Sequence, residues 1–126
     1  MNGPLMALIG GKLDFVGIDY YFGYETPELA AITPGGPVPV GIWDLPVYPE
    51  GIYYALQRYS QMFPGKPLWI VENGMPTEDG QSRTDGYTRS DHLRDTVYWL
   101  QRAQADGMNI IGYNYWSLTD NYEWAS

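Results

Sequence analysis

The sequence predicts an α/β fold with a parallel sheet. Three apolar runs rich in β-branched and aromatic residues alternate with two amphipathic helical stretches, and each run leads into polar and aromatic residues instead of a tight hairpin. Strand, helix, strand, helix, strand is the order that right-handed crossovers generate. All three strands then end on the same side.

The first strand is predicted in Leu13-Asp14-Phe15-Val16-Gly17-Ile18-Asp19-Tyr20-Tyr21, with Asp19 and the tyrosine pair at its carboxyl end. From Thr33 to Pro49 the chain carries Pro34, Gly35, Gly36, Pro37, Pro39, Gly41, Pro46 and Pro49, which no regular element accommodates. This is a long loop of the kind that forms lids or site walls. Trp43 inside it is either a ligand contact or a local anchor. A helix begins at Pro49-Glu50, with Ile52, Ala55, Leu56, Tyr59 and Phe63 on one face, and stops at Pro64-Gly65.

The second strand, Leu68-Trp69-Ile70-Val71, opens directly into Glu72-Asn73-Gly74. A carboxylate at the carboxyl end of a buried parallel strand stands where such folds do their chemistry; read alone, it is also a surface acid before a turn. A polar loop follows to Gly86, and its Asp79 to Asp85 part lacks the alternating ligands and closing Glu of a calcium loop. The second helix runs from Thr88 or Ser90 to Ala105, with Leu93, Val97, Leu100 and Ala103 as its expected buried stripe and Asp106-Gly107 as its stop. His92 near its start reads as a structural or surface residue. The third strand is predicted over Asn109 to Ser117, running into Asp120, Asn121, Glu123 and Trp124.

Composition narrows the function classes. Fifteen Asp plus Glu against seven Lys plus Arg give a net charge of -8, which repels a nucleic-acid backbone or an anionic membrane. With no Cys and a single His, neither a disulfide framework nor a zinc site is expected, and no cofactor is called for. The apolar run Leu5 to Ile9 is short and lacks a basic start, so no targeting segment is read and a cytoplasmic location is expected. Twelve Tyr and five Trp supply flat faces of the kind that cover sugar rings, as well as ordinary core. If the strands are parallel neighbours, Asp19, Tyr20, Tyr21, Glu72, Asn73, Trp116, Glu123 and Trp124 converge on one pocket, suited to a polyhydroxylated ring.

Four segments carry a resemblance: Asp14-Phe15-Val16-Gly17-Ile18-Asp19-Tyr20-Tyr21, Tyr48-Pro49-Glu50-Gly51-Ile52, Glu72-Asn73-Gly74, and Trp116-Ser117-Leu118-Thr119-Asp120-Asn121-Tyr122-Glu123-Trp124-Ala125. In this order and spacing the chain resembles the C-terminal portion of a family 1 glycoside hydrolase of the β-glucosidase type. The resemblance implies a partial (β/α)8 TIM barrel, roughly strands six to eight with the intervening helices, so that residues 1–126 form an incomplete barrel domain. It also implies a retaining β-glycosidase in which Glu72 is the nucleophile, Tyr21 hydrogen-bonds that carboxylate, Trp116 lies beneath the sugar, and Glu123 and Trp124 grip its outer hydroxyls. An acid at Glu123 matches the branch acting on unphosphorylated sugars.

Several positions depart from the family pattern. Asp19 stands where the family has Asn, which places a charge near Glu72, and Val71 replaces Thr. The spacing from Trp43 to Tyr48-Pro49 also differs. No Asn-Glu-Pro motif is present, so the acid/base glutamate has no counterpart, and Asp14, Glu25, Glu28 and Glu50 do not match it. A barrel of this type needs about 250 residues. The expected partners are therefore a small-molecule β-glycoside or oligosaccharide and either the remaining barrel portion or a second copy along open sheet edges. A noncatalytic sugar-binding module using Trp116, Glu123 and Trp124, or a remnant inactive alone, is the alternative reading.

Overall fold

The computed structural model describes residues 11–21, 47–78 and 81–121. Along the chain these form β1 (Val16–Asp19), α1 (Gly51–Met62), β2 (Leu68–Glu72), α2 (Arg89–Ala105) and β3 (Ile110–Tyr113). The strands make one parallel sheet in the order β1-β2-β3, with β2 in the centre. This is the α/β arrangement expected from the alternation of elements. Trp43, Glu123 and Trp124 lie outside the described residues, as do Glu25 and Glu28.

Both outer strands are shorter than the sequence suggests. A parallel strand exists only where its ladder has a partner, and the partner here is the five-residue β2. Single backbone bonds extend the pairing beyond the ladder: Val16 N–H donates to the Pro67 carbonyl at 2.8 Å, and Asn114 N–H donates to that of Ile70 at 2.9 Å.

One face of the sheet is covered by the helices. Val16 and Ile18 of β1 and Leu68 and Ile70 of β2 pack there against Ile52 and Leu56 of α1 and Leu100 and Ala103 of α2. Ile52, Leu56, Leu68 and Ile70 are fully buried, each contributing roughly 1.5–3 kcal/mol relative to exposure. The α1 stripe is the predicted one, Ala55 and Tyr59 being partly buried beside it.

The α2 stripe differs from expectation. His92, Thr96, Leu100 and Ala103 are its buried residues, while Leu93 and Val97 are exposed. Both rows meet at Leu100, and the helix has turned its more polar row inward. His92 is accordingly a core residue.

Local chemistry sets the helix ends. At Thr88 the side-chain oxygen accepts from Asp91 N–H at 3.1 Å while the Asp91 carboxylate accepts from Thr88 N–H at 3.1 Å, a capping box that starts α2. Gly107, with φ of +92°, reverses the chain after α2 and aims it into β3. No helix among the described residues is long and apolar enough to cross a membrane.

Candidate active site

The carboxyl end of β2 is where the three strands meet. Leu68 and Ile70 face the helices, so regular alternation would send Glu72 into the same core. The register prevents this. Ile18 pairs with Ile70 but Asp19 pairs with Glu72, leaving Val71 as an extra residue on β2. Such a bulge re-aims the side chains that follow it. Glu72 becomes the lateral neighbour of Asp19, and its Oε2 accepts a hydrogen bond from the Tyr21 hydroxyl at 3.0 Å.

Tyr20 and Tyr21 part company. Tyr20 is buried on the helix side, where its hydroxyl donates to the Tyr48 carbonyl at 2.9 Å, so it does not join the pocket as expected. That contact fixes the turn starting α1 and leaves no room for a side chain at Gly51, whose Cβ would collide with the phenol oxygen. Burial, with the charge of Glu50 second, pushes the Tyr20 phenol up to about 12 and keeps it a donor. Tyr21 alone of the pair reaches Glu72.

Asn73 also turns inward. It is 1% exposed; its Nδ2 donates to the Tyr20 carbonyl at 2.6 Å and its Oδ1 accepts from the Tyr113 hydroxyl at 3.0 Å. Its own carbonyl accepts from Trp116 N–H at 2.7 Å, which holds the segment after β3 against the strand carrying Glu72. Gly74 makes that approach possible, because a Cβ there would collide with the Trp116 carbonyl. Trp116 itself is 47% exposed, and the peptide bond joining it to Ser117 is cis. Downstream, Asp120 pairs with Arg89 of α2 at 2.6 Å. The place of Asn73 at the strand end is legible in the sequence, whereas its bridge to Tyr113 is not. No motif marks that tyrosine.

Glu72, Tyr21 and the Trp116 backbone are thus brought to one rim, whereas the contributions of Glu123 and Trp124 fall outside the described residues. A carboxylate held by a phenol can accept from sugar hydroxyls or attack an electrophilic carbon. A separate open groove of about 420 Å³ lies by the amino ends of β2 and β3, where Lys66, Asp106 and Asn109 line it. Among the described residues, no group of three or more His, Cys, Asp or Glu is placed to hold a metal ion.

Known proteins with this pattern are found by sequence and by structure. The model of glycosyl hydrolase family 1 matches residues 5–126. This chain belongs to that family. β-Glucosidase A of Thermotoga maritima is 34% identical over 132 residues, which cover 95% of this chain and 29% of that protein. The 6-phospho-β-galactosidase of Streptococcus mutans serotype c is 36% identical over 92 residues, covering 71% of this chain and 20% of its own length. Among solved structures, the β-glucosidase from Thermotoga maritima in complex with castanospermine superposes with a TM-score of 0.66 at 30% identity, over 90% of this chain and 27% of that one. The family 1 chain therefore spans under a third of these relatives, and its sheet and helices match part of their TIM barrel.

Proposed function

We propose that this chain supplies the nucleophile side of a retaining β-glycosidase acting on unphosphorylated β-glucosides or related glycosides. The observation that carries the reading is the 3.0 Å hydrogen bond from the Tyr21 hydroxyl to the Glu72 carboxylate at the carboxyl end of β2. In this reading a Glu72 oxygen attacks the anomeric carbon as the bond to the leaving-group oxygen breaks, and a carboxylic acid elsewhere in the barrel protonates that oxygen. Water, deprotonated by the same residue, then attacks the anomeric carbon and returns Glu72 as a carboxylate. Tyr21 orients the resting carboxylate through its hydrogen bond. Trp116 covers the apolar C–H face of the ring, and Glu123 and Trp124 hold its outer hydroxyls.

Retention needs two carboxyl groups about 5–5.5 Å apart. Asp19 is the strand neighbour of Glu72, but it matches no acid/base motif, so the second group belongs to the barrel strands this chain lacks. The test is an aryl β-glucoside assay on the purified chain with and without a complementary piece carrying the first five strands. Turnover only in the mixture is expected, together with covalent trapping at Glu72 by a fluorinated glycoside that Glu72→Gln abolishes. Sugar binding without turnover in the mixture would turn the reading into that of a noncatalytic module. The likeness to a 6-phospho-β-galactosidase favours a second substrate class, which the 6-phosphorylated aryl glycoside tests directly. Preference for that substrate would overturn the role given to Glu123.

A further inference from the structure

We infer that Asn73 is the positioning residue of this site, bracketing all three strand ends so that Glu72 stays against Tyr21. The inference rests on the reading of Glu72 as the reacting carboxylate. Three bonds carry it. The side-chain amide donates to the carbonyl of Tyr20, the residue just before Tyr21, at 2.6 Å. Its oxygen accepts from Tyr113 of β3 at 3.0 Å, and its main-chain carbonyl accepts from Trp116 at 2.7 Å. Asn73 is covalently next to Glu72, so these bonds fix the carboxylate's strand relative to Tyr21 on one side and Trp116 on the other.

The residue type follows from the partners. A carbonyl can only accept, so Nδ2 must face Tyr20, and the remaining Oδ1 needs a donor. Burial, with Tyr115 second, pushes the Tyr113 phenol up to about 12, so it stays protonated and supplies that donor. Aspartate would set a carboxylate against the Tyr20 carbonyl. An apolar residue would strip the Tyr20 carbonyl and the half-buried Tyr113 hydroxyl of these partners. Only an amide of this length meets both arms. Asp19 lies beside Glu72 in the register, but among the described residues no side-chain bonds from it span all three strands.

The experiment uses the full chain with 13Cζ-labelled tyrosine, Tyr21 being assigned by Tyr21→Phe. Replacing Glu72 by Gln changes the acceptor of the Tyr21 hydroxyl and is expected to move the Tyr21 resonance. In the Asn73→Ala background the same Glu72→Gln step should move it by roughly half or less, because the two groups are no longer held together. A residue that only stabilises the fold would lower the melting temperature and leave that response at full size. If Asn73→Ala loses its dispersed spectrum, Tyr113→Phe takes its place, removing one arm and leaving the other. A full-size response in folded Asn73→Ala, or in Tyr113→Phe where that variant is needed, overturns the inference, as does no response in the parent chain. No sugar enters this measurement. Failure of the glycosidase assay would therefore overturn the nucleophile reading and leave the bracket standing, whereas failure here would leave the assay's outcome intact.

Discussion

Gly74 shows how one residue can set the spacing of a site. Its Cα faces the Trp116 carbonyl so closely that a methyl group has no room, and the opposing atom is backbone. Gly74→Ala must therefore push the post-β3 segment away, breaking the Trp116 N–H to Asn73 carbonyl bond. The expected cost is about 1–3 kcal/mol, as for other overpacked positions. Urea unfolding checks it, and an unchanged midpoint would show that the two strand ends are not in contact. At this scale the sequence was informative about residue type and less so about direction. Glu72, Asn73 and Tyr21 stood out by their place at strand ends. Whether Tyr20 or Tyr21 meets Glu72, and whether Glu72 leaves the core face at all, depends on the bulge at Val71, which no residue pattern announces.

Elements were legible wherever a local signal and the tertiary packing agree. Thr88, one of the two starts read for α2, is its cap and is bonded reciprocally with Asp91, so Thr88→Ala should cost about 1 kcal/mol, or a melting temperature lower by roughly 4 °C. A thermal melt within 1 °C of the parent, about a quarter of that shift, would remove the cap from the list of stabilising contacts. The α2 stripe is not legible because its apolar residues do not all lie on the buried row: His92 and Thr96 occupy the buried positions that periodicity assigns to Leu93 and Val97.

His92 has a consequence for stability. Burial, opposed by Asp95 and assisted by Arg83, lowers it from 6.5 to about 4, and its Nδ1 has no hydrogen-bond partner among the described residues. The unfolded chain thus takes up a proton between pH 6.5 and 4 that the folded chain refuses. Stability is fully present above pH 6.5 and falls by about 3 kcal/mol as the pH drops to about 4, below which this group adds nothing further. The carboxylates of Asp85, Asp91, Asp95 and Asp106, held low chiefly by hydrogen bonds to Arg83, Thr88, Arg94 and Tyr53 respectively, act in a separate window below about 4. Urea midpoints at pH 7 and pH 4.5 check this. The drop seen in the parent should largely vanish in His92→Leu, and an equal drop in both would assign it to other groups.

The whole molecule is a sheet with helices on one face and, among the described residues, no strand beyond β1 or β3. The other face and the edges carry Phe15, stacked obliquely on Trp69 at 5.6 Å between ring centres, and Ile111, which is 53% exposed. Unpaired parallel edges with apolar side chains recruit further strands, and a net charge of -8 opposes that by repulsion between copies. Salt weakens the repulsion far more than the apolar contact, so association of the isolated chain should grow with ionic strength. Sedimentation velocity over a concentration series should show reversible association that Ile111→Lys reduces by placing a charge on the β3 edge. A complementary piece with the first five barrel strands should compete with it, because it offers both edges their parallel partners at once, whereas a second copy must reuse the same two strands. A parent chain that stays monomeric at every salt concentration, and binds no complement, would mean that these edges are covered and that the open-sheet account of this chain is wrong.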